Sequence, residues 1–73
     1  MKEIKNDSAA YLRTVYKPGT RLIVHRMEDP CPVDPETTGS VDYVDDAGTI
    51  HCRFDNGRYL GLIPDLDVFE IIP

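Results

Sequence analysis

Between Thr49 and Ile63, two runs of alternating apolar and polar residues flank Asp55-Asn56-Gly57. That arrangement is a strong short-range hairpin signal and commits the chain to a small β structure. Two registers compete. A two-residue turn at Asn56-Gly57 sets Phe54 opposite Tyr59 and sends Leu60 and Leu62 away from Ile50, Cys52 and Phe54. A three-residue turn with Gly57 in a bulge sets Phe54 opposite Arg58, Cys52 opposite Leu60 and Ile50 opposite Leu62. Burying one leucine contributes about 1.5–3 kcal/mol, so the register that buries both is expected. It leaves His51, Arg53, Tyr59 and Gly61 together on the outer face.

Seventy-three residues make one domain with a thin core, because a chain this short buries only about 60% of its unfolded surface. A separate catalytic domain or a deep substrate pocket does not fit. No apolar run approaches the roughly 20 residues that cross a bilayer. Met1 to Asp7 lack the apolar stretch and cleavage site of a signal peptide, so a cytoplasmic location is expected. In that compartment the two cysteines, Cys31 and Cys52, are expected as free thiols. The net charge of −5 divides unevenly: residues 1–26 carry +4 and residues 27–73 carry −9. A duplex rewards clustered Lys and Arg, so the acidic β part has the wrong sign for nucleic acid. It suits a basic ligand or a partner's basic patch better, although acidic surfaces also serve plain solubility.

Along the chain, Asp7 to Val15 reads as a short helix capped by Asp7 or Ser8, stopped by Pro18-Gly19. Thr20 to Met27 reads as a strand with Leu22 and Val24 facing in. Glu28 to Glu36 holds three prolines and four acids and reads as a long ordered loop. Thr38 to Val44 is the second strand, and its apolar spacing predicts a bulge or strong bend. Asp45-Asp46-Ala47-Gly48 turns into a third strand, Thr49 to Phe54, and Arg58 to Ile63 is the fourth. Pro64 to Asp67 reads as one tight helical turn before a last strand, Val68 to Ile72.

Five short strands, a long first loop, a tight hairpin and a turn before the last strand resemble an SH3-like barrel. The implied fold is mainly β: a small five-stranded barrel (residues 17–73) with a short N-terminal helix on an arm (residues 1–16). More closely, the chain resembles a family of short bacterial and phage proteins described as a domain of unknown function. The resemblance rests on Leu12-Arg13, Tyr16, Pro18-Gly19-Thr20-Arg21, Met27, Asp29-Pro30, Gly39-Ser40-Val41, Val44-Asp45-Asp46, Gly48, Ile50-His51, Phe54-Asp55-Asn56-Gly57 and Leu62-Ile63-Pro64. It implies a fold and a mobile-element setting, with no activity and no functional residues. Polyproline recognition is argued against by the lack of tryptophan and by Asp67, which stands where peptide-binding SH3 domains usually offer a tyrosine.

The residues that carry chemistry do not form a known pattern. His25, Cys31, His51 and Cys52 are zinc-ligand types, but their spacing fits no ribbon or finger. His51 and Cys52, adjacent on a strand, point to opposite faces. Asp42, Asp45 and Asp46 lack the alternation and the distal glutamate of a calcium loop. Ser8, Ser40, Cys31 and Cys52 are the candidate nucleophiles and His25 and His51 the candidate bases, with no motif joining them. No cofactor, metal site or catalytic residue is therefore expected. The best binding patch is His51, Arg53 and Tyr59, extended by Tyr43 and the acidic Asp45 and Asp46, because Tyr and Arg most often anchor interfaces. A cross-strand Arg53–Tyr59 pair that merely stabilises the sheet is the plainer reading.

The leading expectation is a non-enzymatic protein-binding module with an unidentified, basic partner. One alternative is a nucleic-acid accessory protein using Lys2, Lys5, Arg13 and Lys17. Another is self-association, with the basic N-terminal segment of one copy docking on the acidic barrel of a second.

Overall fold

The computed structural model describes residues 8–73. Helix α1 (Ala9–Val15) begins where the Ser8 hydroxyl accepts from the Tyr11 N–H at 3.2 Å. Ser8 thus fills the cap expected of Ser8 or Asp7, and Asp7 lies outside the described residues. A helix of seven residues does not persist alone. This one is docked through Leu12, which is buried in the core.

Five strands follow: β1 (Arg21–Arg26), β2 (Thr37–Val44), β3 (Ile50–Phe54), β4 (Tyr59–Leu62) and β5 (Val68–Ile71). They form one antiparallel sheet in the order β4-β3-β2-β1-β5, open between its two edge strands. In the β3–β4 hairpin, Ile50 pairs with Leu62 and Cys52 with Leu60. The Phe54 N–H donates to the Arg58 carbonyl at 2.8 Å, and the Gly57 N–H donates back to Phe54 at 3.0 Å. Gly57 has φ +91°, so the three-residue turn with a left-handed glycine is the one formed. Asp55 anchors this turn. It accepts two hydrogen bonds from Arg21, at 2.6 and 2.9 Å, and a third from Thr38. Arg21 and Thr38 hold its carboxyl well below the usual carboxylate range.

Leu22, Val24, Ile50, Cys52 and Leu62 are fully enclosed, with Leu12, Val41, Val44 and Phe54 around them. Burial pushes the Cys52 thiol up to about 12, so it stays protonated as a small hydrophobe. The loop between β1 and β2 contributes Met27 and Val33 to the same core. Two bulges make this enclosure possible. One falls between Val41 and Tyr43 in the β2–β3 ladder, the other between Val24 and Arg26 in the β1–β5 ladder. Strict alternation would turn Val44 and Met27 outward; one extra residue in each strand returns them to the core.

The segment before β5 departs from the helical turn expected there. Ile63 accepts from the Leu66 N–H at 3.1 Å, but Asp65 has φ +75°. Proline at the second position and a left-handed residue at the third are the signature of a type II turn. Asp tolerates that region because its short polar side chain bonds locally.

Gly39 is required by the close approach of β3, where it pairs with Phe54. A Cβ there would lie 2.8 Å from the Phe54 ring and 3.0 Å from the Arg53 carbonyl oxygen. Gly39→Ala is expected to cost about 1–3 kcal/mol, because backbone cannot yield as a flexible side chain does. Urea unfolding checks this, and an unchanged midpoint would refute the close approach.

Candidate functional site

The register places His51 opposite Tyr43 on one side and Gly61 on the other, while Arg53 lies opposite Tyr59. The β2 bulge turns both Asp42 and Tyr43 toward the outer face, which is why Tyr43 joins the patch. Its ring stacks on His51 with centroids 4.5 Å apart and planes 8° from parallel. The row continues to Tyr59, 6.4 Å from His51, and ends with the Arg53 guanidinium 5.5 Å from the Tyr59 ring centroid. Tyr43 and Tyr59 remain 48% and 44% exposed, so the row is a surface feature.

Two carboxylates fix the row from its flank. Asp45 meets His51 Nε2 at 2.8 Å and accepts from the Ala47 and Thr49 N–H groups with its other oxygen. Its hydrogen bonds to His51 and Thr49 hold its carboxyl below the usual carboxylate range. The Tyr59 hydroxyl donates to Asp42, and that carboxylate pushes the phenol up to about 12. Side chains held this way lose little rotamer freedom on meeting a partner, which lowers the cost of binding.

Of the six residues expected in the patch, His51, Arg53, Tyr59, Tyr43 and Asp45 come together. Asp46 does not join them. It bonds Arg13 of α1 at 2.6 Å, and Arg13 also donates to the Val44 carbonyl at 3.1 Å. Asp42 was missed as a member of the patch. The signal was the bulge itself, which sends two successive β2 side chains to one face. Also missed is an open cleft of 170 Å³ lined by Arg13, Tyr16, Pro18, Tyr43 and Val44. Pockets for drug-sized ligands run about 300–1,000 Å³, so this cleft admits a single side chain of a partner. Tyr43 belongs to both the row and the cleft and makes them one surface.

The other residues weighed for chemistry are scattered. Ser8 caps α1, Ser40 accepts from Arg21 at 2.9 Å, Cys52 is buried, and Cys31 is exposed in the loop. His51 and Cys52 do face opposite sides of β3. Among the described residues, no three His, Cys, Asp or Glu side chains are arranged to hold a metal. No described helix is long and apolar enough to cross a membrane. Asp67, standing where a groove tyrosine was considered, is buried and accepts two backbone N–H bonds, from Glu28 and Ile63, each at 2.7 Å. Lys2 and Lys5, considered for nucleic-acid contacts, lie outside the described residues.

The family model described as Domain of unknown function (DUF4314) matches residues 5–72. The chain belongs to this family. The match takes in α1 as well as all five strands, so the helix that lines the cleft is part of the family's extent. No curated protein and no solved structure matches the chain.

Proposed function

We propose that this DUF4314 member is a small non-enzymatic protein-binding module on an SH3-like barrel scaffold, and that it binds through the Tyr43–His51–Tyr59–Arg53 face. The observation that carries the reading is the row itself: two exposed tyrosine rings, a half-buried imidazole between them and an exposed guanidinium, held in place by stacking and by Asp42 and Asp45. Tyrosine and arginine are enriched at interface hot spots: tyrosine brings large contact area at low entropic cost, and arginine brings a planar guanidinium that stacks and donates several hydrogen bonds. The barrel reading is supported by the strand order, the long β1–β2 loop, the tight β3–β4 hairpin and the turn before β5. The −9 balance of residues 27–73 favours a basic partner segment. In a bacterial or phage setting, such a module would bind and regulate a host protein in the cytoplasm.

Affinity capture from a bacterial lysate, with the intact chain and with Tyr43→Ser/Arg53→Ser side by side, tests the proposal. A single protein retained by the parent and bound at least about tenfold more weakly by the variant is expected, as for loss of hot-spot side chains. Capture of chaperones alone, or of a protein held equally by both, would overturn it. Gel retardation of nucleic acid at low salt that fades as salt rises would instead favour the accessory-protein reading.

A further inference from the structure

At the other end of the sheet, His25 is the extra residue of the β1 bulge and meets two carboxylates from different elements. Its Nδ1 is 2.7 Å from Glu36 Oε2, and its Nε2 is 2.9 Å from Glu70 Oε2. A neutral imidazole has one N–H and one lone pair, so it donates to one carboxylate and sets its lone pair against the other. The imidazolium donates to both. Glu36 ends the β1–β2 loop, with φ +69° and its N–H bonded to the Val24 carbonyl at 2.7 Å. Glu70 belongs to β5, an edge strand paired to β1 alone.

We propose that His25, Glu36 and Glu70 form a proton-operated clasp that fastens edge strand β5 and the loop exit to β1, and that loss of the His25 proton frees Glu70. Glu70 is the arm released because its contact with the imidazole is the longer, 2.9 Å against 2.7 Å for Glu36; both backbones are tied to β1, Glu36 to the Val24 carbonyl and Glu70 opposite Ile23. The charged groups acting on the imidazole are Glu36 from the loop and Glu70 from β5; Arg26, next along β1, is engaged with Glu28 at 3.3 Å. Hydrogen bonds to Glu36 and then Glu70 raise the His25 pKa above its ordinary 6.5. A raised folded-state pKa means that the clasp's contribution is complete below about pH 6.5 and is lost as pH climbs through the raised midpoint. The clasp lies on the β1–β5 side of the sheet and does not depend on the binding role of the Tyr43 face.

The test is a histidine-ring NMR titration of the full chain, with amide exchange followed across the same pH range. The His25 midpoint is expected above 6.5, and lowered by Glu36→Gln and by Glu70→Gln. Both glutamates are about two-thirds exposed (64% and 65%), so these isosteric changes leave the core untouched. The Ile72 N–H, which donates to the Arg21 carbonyl at 3.0 Å, reports the β1–β5 pairing. Its protection factor is expected to fall several-fold on passing the His25 midpoint in the parent chain, and to become independent of pH in Glu70→Gln. A His25 midpoint that neither substitution moves, or Ile72 protection independent of pH in the parent, would overturn the clasp.

Discussion

Replacing Asp67 with alanine is expected to destabilise the fold by about 3 kcal/mol, since each hydrogen bond to a charged acceptor contributes roughly 1.5–3 kcal/mol. Asp67 is 9% exposed, and its carboxylate ties the Glu28 N–H, just after β1, to the Ile63 N–H, just after β4, at 2.7 Å each. Alanine leaves the Glu28 N–H, at the base of the long loop, and the Ile63 N–H, at the start of the turn before β5, without that partner. For a domain of this size the loss corresponds to about 15 °C in melting temperature. Asp67→Asn is expected to lose about half as much, because an amide offers one oxygen where the carboxylate offers two. Thermal unfolding followed by circular dichroism measures both, and a melting temperature within a degree or two of the parent for Asp67→Ala would show that the clamp does not hold the loop.

Leu62→Ala is expected to cost a similar amount, about 3 kcal/mol, within the range for truncating an enclosed leucine. Leu62 is fully buried opposite Ile50, also fully buried, whereas Leu60 is partly buried opposite Cys52. Leu60→Ala is therefore expected to cost clearly less than Leu62→Ala while still being measurable. Under the competing two-residue turn both leucines face outward, and both truncations would be nearly silent. Urea unfolding of the two variants thus reads the hairpin register directly. Domains of this length have a total stability of about 4–11 kcal/mol, so Leu62→Ala removes a large share of it.

The register was legible because everything that sets it is local. Asp55-Asn56-Gly57 specifies the turn, and the burial of two leucines ranks the two possible pairings. The β2 bulge was legible for the same reason, from the misfit between alternation and the positions of Val41 and Val44. The matching bulge in β1 carried the same signal in the step from Val24 to Met27, both buried, and went unread. Asp46 was grouped with the patch by its neighbour Asp45, yet the two side chains go to different elements, His51 on β3 and Arg13 on α1. Adjacent turn residues diverge, so sequence proximity was a poor guide there.

The amino-acid sequence by itself determined the strands, the β3–β4 turn, a helix cap at Ser8 or Asp7 and the outward face of His51, Arg53 and Tyr59. Backbone sterics, side-chain periodicity and the hydrophobic effect act over a few residues and need no knowledge of the whole. The tertiary structure alone decided which carboxylate meets which partner: Asp42 on Tyr59, Asp67 on Glu28 and Ile63, Glu36 and Glu70 on His25. Those contacts join residues 4 to 45 positions apart. They depend on strand order and on two bulges that no local pattern encodes in full, because a bulge changes which side chains share a face along the rest of its strand.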